Sequence, residues 1–143
     1  MDKSILKIIS NALKEDVKNG DITTKITISK SKKAIGKFLI KADGIIAGLE
    51  IAKAVFKTVD PKIKFEIKIN DGFKVKYGDV AAIVSGKAQS LLTAERTALN
   101  FLQRMSGIAT SAKNYSEMVK HTKAKIIDTR KTVPGLRALD KLA

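Results

Sequence analysis

Two cationic side chains follow a short apolar segment in the last part of the chain. The stretch "IIDTRKTVPGLRALDK" covers residues 126–141 and places Arg130 and Lys131 directly after Asp128 and Thr129. Arginine presents a planar fork that fits a carboxylate or a phosphate, and lysine presents a mobile point charge. Thr129, Arg130 and Lys131 are therefore candidate ligands of a small polyanion. The alternative is a basic loop in water, and these residues alone leave both interpretations open.

The whole chain is basic, with 28 Lys and Arg against 14 Asp and Glu and a net charge of +14. This excess fits a lysine-rich solvated surface, and it also fits nucleic acid or phosphorylated ligands. The chain uses arginine sparingly, and all of it lies in the last third: Arg96, Arg104, Arg130 and Arg137. Because the guanidinium suits sites where geometry matters, this distribution favours a specific anion site in that third. With five Phe, two Tyr and no Trp, and no recognisable motif, nucleic-acid binding is the weaker hypothesis.

Length and composition bound the remaining possibilities. The 143 residues suffice for one domain with a core. The chain has no cysteine, which excludes disulfides and thiolate metal sites, and the lone His121 cannot build a histidine site. No stretch approaches the roughly 18 apolar residues of a membrane span, and the N-terminus resembles an amphipathic helix rather than a signal peptide. We predict a cytoplasmic protein with no membrane partner.

Periodicity predicts an α+β domain over residues 1–107. A first helix begins after Asp2 as N-cap and ends before Gly20, and residues 15–24 supply a helix end and a turn rich in carboxylates and hydroxyls. Further helix is expected at residues 49–59. Strands are expected at residues 34–42, 62–70 and 80–84, with a return strand at 45–47 after the first of them.

A different architecture is predicted for residues 108–143. The long helix from residue 88 is expected to break or kink at Ser106-Gly107. A helix to about residue 121, an apolar strand at residues 123–129 and a helix start at 136–143 are expected to follow. Helix, strand and helix in this order are typical of a parallel α/β unit, in which ligands bind at the carboxyl ends of strands. One parallel strand cannot form a sheet. It pairs with another segment, or the chain is the front of a longer protein with an exposed sheet edge and apolar surface near residues 126–143.

Two long motifs resemble one family. The stretches "LLTAERTALNFLQRMSGIAT" (residues 91–110) and "DTRKTVPGLRALDK" (residues 128–141) closely resemble quinolinate phosphoribosyltransferases, and "EDVKNGDITT" (residues 15–24) fits them too. The resemblance spans essentially the whole chain. It implies an α/β sandwich-like N-terminal domain with a largely antiparallel sheet and packed helices. This domain is followed by the first helix-strand-helix of an α/β barrel that is incomplete in this chain.

The resemblance also implies a reaction. Family members transfer the phosphoribosyl group of phosphoribosyl pyrophosphate to the ring nitrogen of quinolinate. Pyrophosphate and carbon dioxide leave, and nicotinate mononucleotide enters NAD synthesis. Mg²⁺ accompanies the pyrophosphate, and its ligands are expected outside this chain. A dicarboxylate and a polyphosphate require positioning and charge neutralisation, which arginine and lysine supply.

Specific residues match the family pattern. Arg130 and Lys131, with Thr129, match its substrate-binding "TRK" run, and Arg96 matches an arginine that enters the active site of the neighbouring subunit. This implies a homodimer or higher homo-oligomer with shared active sites. We assign Arg96 and Arg130 to the quinolinate carboxylates, and Lys131 to the quinolinate or phosphate region. Without the resemblance, Arg96 is better interpreted as a surface arginine paired with a nearby carboxylate.

Three other functions stay open at this point. The first is a same-fold paralogue linked to molybdenum transport, with another substrate. The second is a non-catalytic assembly or binding domain that contacts partners through the helix around Arg96. The third is the nucleic-acid binder. Because a barrel needs on the order of 200 residues, we expect this chain alone to be inactive or nearly so.

Overall fold

The computed structural model describes residues 2–18 and 21–143 and shows an α+β architecture, which confirms the predicted fold class. Its helices are α1 (Lys3–Val17), α2 (Ile22–Thr27), α3 (Leu49–Val59), α4 (Ala88–Val119) and α5 (Arg137–Leu142). Its strands are β1 (Lys33–Leu39), β2 (Gly44–Ile45), β3 (Lys64–Ile67), β4 (Lys74–Val75) and β5 (Val80–Lys87). In this described part of the chain, no helix combines the length and hydropathy that a membrane span requires.

All strand pairs in the described residues are antiparallel. Strand β5 lies between β1 and β3 in a three-stranded sheet, and β2 pairs with β4 in a separate two-stranded sheet. The predicted hairpin of the first strand and its return strand is therefore wrong. Gly44 pairs with Val75 and Ile45 with Lys74. Local alternation predicts where a strand lies, but the partner is chosen by distant packing.

Helix α1 begins as predicted, because the Asp2 carboxylate accepts a hydrogen bond from the Ser4 N–H at 2.9 Å. The predicted stop at Gly20 lies outside the described residues. Asp21 caps α2 in the same way, through the Thr24 N–H at 2.9 Å. Helix α3 has the predicted bounds, residues 49–59.

The core lies between the three-stranded sheet and helices α3 and α4. Phe38 of β1, Phe56 of α3 and Phe65 of β3 form a ring cluster with centroids 5.4 to 5.9 Å apart. The first three turns of α4 add Leu91, Ala94 and Ala98 to this core. The sequence around Arg96 is therefore helical and fixed in register because its opposite face is buried.

Helix α4 is continuous over 32 residues, so the predicted break at Ser106-Gly107 is wrong. Side chains on either side of the glycine bind the helix to the segment around β2. The Ser106 hydroxyl accepts from the Ala47 N–H at 3.0 Å, and the Thr110 hydroxyl accepts from the Ile45 N–H at 2.9 Å. These contacts offset the roughly 1 kcal/mol that one interior glycine costs a helix. The division into domains at residue 107 stays a prediction.

The predicted strand at residues 123–129 is also wrong, because this segment has no regular structure. A strand exists only when a neighbour supplies backbone partners, and no described strand runs beside it. Ile126 and Ile127 are 48% and 80% exposed, in agreement with the predicted apolar surface. The chain then forms α5 close to the predicted helix start, and Leu139 of α5 is fully buried in the core cluster.

Candidate functional site

Arg96 lies on the exposed side of α4, with 71% of its side chain accessible. Its Nε is 2.6 Å from Oδ1 of Asp16, in the last turn of α1. The neighbouring Thr97 is buried and donates from its hydroxyl to the other Asp16 oxygen at 3.4 Å. The alternative interpretation of Arg96, an ion pair with a nearby carboxylate, is therefore present in the structure. It occupies one edge of the guanidinium, while most of the side chain stays in solvent.

A cavity of about 700 Å³ lies beside Arg96. Its walls come from the end of α1, from α2 and from the exposed face of α4, and its polar lining comprises Asp16, Asp21, Thr24, Thr93, Glu95, Arg96, Asn100 and Gln103. The side chain and then the backbone N–H of Thr24 hold the pKa of Asp21 below its usual value, and the charge of Arg96 adds to this effect. Asp16 is the carboxylate of this cavity that contacts Arg96 directly.

A second cavity, of about 740 Å³, separates β1 and the following loop from α4. Its lining is mostly apolar and includes Phe38, Ile46, Leu91 and Leu102. Thr129, Arg130 and Lys131 line neither cavity. The basic run therefore does not contribute to the cavity beside Arg96.

The basic run lies in an exposed loop between α4 and α5. The Lys131 N–H donates to Oγ1 of Thr129 at 3.1 Å, and the Thr132 N–H donates to the Arg130 carbonyl at 3.0 Å. The backbone thus turns tightly at the run, and the long side chains extend into solvent. Within residues 2–18 and 21–143, neither Arg130 nor Lys131 forms an ion pair.

Asp140 fixes the far end of this loop to α4. Both of its oxygens accept from Arg104, from Nε and from Nη2, each at 2.7 Å, and Oδ2 also accepts from the Val133 N–H at 3.2 Å. The Asp140 side chain is only 8% exposed. The hydrogen bonds from Arg104 lower the pKa of Asp140 despite its burial, and they raise the pKa of Arg104.

The near end of the loop has a weaker attachment. Asp128 pairs with Lys141 of α5, and the two side chains are 60% and 45% exposed. The hydrogen bond from Lys141 lowers the pKa of Asp128. Surface ion pairs of this kind stabilise little, so Asp140 is the principal anchor of the loop.

Sequence analysis missed the partners of the arginines. Asp16 lies in the acidic stretch that we interpreted as a helix end, and Asp140 is 36 residues from Arg104. Pairs of a carboxylate and an arginine that are distant in the sequence can be recognised only when the fold is known. Arg137 begins α5, as predicted, and its Nε donates to the Thr132 hydroxyl at 3.3 Å. His121 is exposed near the end of α4.

The described residues bring together no group of three or more His, Cys, Asp or Glu side chains that holds a metal ion. Carboxylate oxygens are the ligands that Mg²⁺ prefers. The described residues therefore do not provide the set of ligands that Mg²⁺ requires.

Two family models match successive parts of this α+β chain. The family model described as Quinolinate phosphoribosyl transferase, N-terminal domain, matches residues 21–106, and the one described as Quinolinate phosphoribosyl transferase, C-terminal domain, matches residues 108–143. The chain belongs to the quinolinate phosphoribosyltransferase family.

Individual relatives agree with this assignment. The chain is 48% identical over 137 residues to quinolinate phosphoribosyltransferase (decarboxylating) 1b of Nicotiana tabacum, covering 95% of this chain and 39% of the relative. It is 44% identical over 142 residues to the chloroplastic nicotinate-nucleotide pyrophosphorylase (carboxylating) of Arabidopsis thaliana, again 39% of that protein. The crystal structure of NadC from Streptococcus pyogenes superposes with a TM-score of 0.90 at 37% identity, covering 94% of this chain and 48% of that one. The chain thus spans less than half the length of these relatives.

Proposed function

We propose that this chain contributes part of the active site of a quinolinate phosphoribosyltransferase. The complete enzyme transfers the phosphoribosyl group of phosphoribosyl pyrophosphate to quinolinate and releases pyrophosphate and carbon dioxide. Nicotinate mononucleotide then enters NAD synthesis. In this proposal, Arg96 and Arg130 bind the quinolinate carboxylates, and Lys131 binds the quinolinate or phosphate region.

The contrast among the arginines supports the proposal. Arg104 is bound at both ends of its guanidinium by Asp140 and is two-thirds buried, so its role is structural. Arg130 is exposed and has no carboxylate partner in the described part of the chain. An unpaired guanidinium beside Lys131 raises the local positive potential and offers a fork for a dicarboxylate. The "TRK" run, which the family uses to bind its substrate, is thus accessible to a substrate in this fold.

The chain alone is proposed to be inactive or nearly so. It spans 39% of the plant relatives, and the basic run does not line the cavity beside Arg96. We propose that the remaining length of the enzyme supplies the rest of the barrel and the ligands of Mg²⁺. Catalysis by positioning fails when only some of the ligands are present.

An assay of product formation tests this proposal. The chain is completed with the barrel segment of the Nicotiana tabacum relative and incubated with quinolinate, phosphoribosyl pyrophosphate and Mg²⁺. We expect release of carbon dioxide and formation of nicotinate mononucleotide by the completed protein and none by the 143-residue chain. Turnover of phosphoribosyl pyrophosphate with another acceptor but not with quinolinate would favour the paralogue with a different substrate.

We also propose a homodimer or higher oligomer in which Arg96 serves the site of the neighbouring subunit. The exposure of Arg96, with 71% of its side chain accessible, supports this arrangement, because an exposed arginine can reach a neighbouring subunit. In the completed enzyme, Arg96→Ala and Arg130→Ala should each be inactive alone, and mixing them should restore about a quarter of the activity through mixed dimers. Activity that stays absent after subunit exchange would show that both residues act in one chain.

We infer a cytoplasmic location only as a proposal. The absence of cysteine fits a reducing compartment but does not require it. Some relatives carry other compartments in their names, such as the mitochondrial quinolinate phosphoribosyltransferase 2b of Nicotiana tabacum. Imaging of the tagged protein in its own cells decides this point.

A further inference from the structure

Asp16 lies where α1 meets α4. It occupies the last turn of α1, it faces α4, and its side chain is 22% exposed. One oxygen contacts Arg96 Nε at 2.6 Å and the other accepts from the Thr97 hydroxyl at 3.4 Å. Because Thr97 is buried, its hydroxyl fixes the carboxylate against the rigid face of α4.

The contact leaves the tip of Arg96 open. A guanidinium has five N–H donors arranged along two edges. The Asp16 contact is made through Nε, at the base of the group, while 71% of the side chain stays exposed. The edge formed by the two terminal nitrogens therefore faces solvent. This is the edge that binds a carboxylate in a bidentate manner.

We propose that Asp16 is a positioning residue, which holds the Arg96 guanidinium so that its outer edge is presented to a carboxylate of the substrate. This inference rests on the proposed function, because quinolinate is the anion that Arg96 would bind. Arginine has several rotatable bonds, and a free side chain loses that freedom on binding. Asp16 removes part of this loss in advance. It also balances the charge of Arg96 until the substrate arrives.

A merely structural ion pair predicts different behaviour. An exposed ion pair contributes little to stability. If the pair is only structural, Asp16→Asn should change the substrate affinity equally with and without Arg96. Coupling between Asp16 and Arg96 in substrate affinity is thus the property that separates the two roles. The neighbouring Glu15 offers a matched control, because it is exposed on the same turn of α1 and carries the same charge.

The first test uses the arginine Nε–H signals of the 143-residue chain in nuclear magnetic resonance. Only four arginines are present, so each signal is assigned by one substitution. We expect the Arg96 signal to exchange with water more slowly than the Arg130 signal, and Asp16→Asn to remove this difference. The Arg104 signal, protected by Asp140, should stay unchanged, and Glu15→Gln should leave all of them unchanged.

The second test uses steady-state kinetics of the chain completed with the barrel segment of a relative. Asp16→Asn should raise the KM for quinolinate about tenfold and change kcat less than about twofold. In the Arg96→Ala background, Asp16→Asn should change KM less than about twofold. Glu15→Gln should change neither constant.

The two tests separate the two ideas. If Asp16→Asn leaves the Arg96 signal protected, or raises KM equally with and without Arg96, the positioning role is wrong. If the completed protein does not use quinolinate, the proposed function fails. The exchange measurement still decides in that case whether Asp16 holds Arg96.

Discussion

Helix α4 has two parts in unlike surroundings. All of the buried residues of the helix lie in its N-terminal part, residues 88–109, and they are Ala88, Leu91, Ala94, Thr97, Ala98, Phe101, Leu102, Met105 and Ala109. In its C-terminal part, residues 110–119, Tyr115 is 60% and Met118 is 67% exposed. Arg96 belongs to the N-terminal part, and the basic run at 129–131 follows the C-terminal part.

This difference shows that the two candidate binding regions are supported in different ways. The orientation of Arg96 is set by a helix packed into the core and by Asp16. The basic run depends on a loop that is attached through α5, chiefly by Leu139 and Asp140. We therefore expect substitutions in the N-terminal part of α4 to change the stability of the whole domain. Substitutions beyond it should change stability only locally.

The largest contrast is expected from the same substitution in the N-terminal and the C-terminal part of α4. Met105 is 1% exposed and Met118 is 67% exposed. Met105→Ala should lower the free energy of unfolding by about 3 kcal/mol, because it leaves a cavity beside Gly48. Met118→Ala should change it by less than about 0.5 kcal/mol. Urea unfolding measures both, and equal effects would contradict the division of the helix.

A somewhat smaller effect is expected from Asp140→Asn. The substitution removes the charge that pairs with Arg104 and weakens the bond to the Val133 N–H, at a cost of about 2 kcal/mol for the attached segment. Hydrogen exchange should become faster at residues 133–143, while the N-terminal part of α4 keeps its protection. Asp128→Asn, at the exposed ion pair with Lys141, is the control and should change exchange much less.

The same anchor predicts a dependence on pH. Arg104 holds the pKa of Asp140 below its usual value of 3.8, so the stabilisation is fully present above the unfolded pKa. It is lost as the pH falls through the lower, folded pKa. The protection of residues 133–143 relative to the intrinsic exchange rate should therefore fall below about pH 4, and Asp140→Asn should abolish this fall. An unchanged pH profile in the variant would assign the effect to other carboxylates.

The smallest expected effect has the opposite sign. Gly107 is exposed inside α4, and a Cβ there would meet no atom within 4 Å. Gly107→Ala should stabilise the chain by about 1 kcal/mol, because alanine favours the helix and restricts the unfolded chain. Gly48→Ala is the contrasting variant. Its φ is 103° and its Cβ would lie 2.9 Å from the Met105 sulfur, so it should destabilise. A loss of stability in Gly107→Ala would indicate a bend that the helix needs.

The local features of the fold were predictable because each is set by a few adjacent residues. The apolar spacing of α3 and the following Pro61 define that helix, and Asp2 supplies the cap of α1. The pairing of β2 with β4 was not predictable, because two-residue strands carry no register signal. The continuity of α4 depends on Ser106 and Thr110, which bind the segment around β2. These contacts are not visible in the sequence, where Gly107 suggests a break.

The candidate site shows the same division. The types of Arg130 and Lys131 and their place after an apolar segment indicate an anion site from the sequence. The strand expected before them did not form, since its partner is not among the described strands. The roles of Asp16 and Asp140 arise from contacts across 80 and 36 residues, and only the fold brings these carboxylates to their arginines.

Calorimetric titration of quinolinate is the measurement that tests the central claim most directly. It is made on the chain completed with the barrel segment of a relative, with Arg96→Ala, Arg130→Ala and, as a charge-matched control, the exposed Lys30→Ala. We predict micromolar binding that is lost in both arginine variants and kept in the control. Binding that survives in both arginine variants, or no binding to the completed protein, would contradict the assignment of these residues to quinolinate.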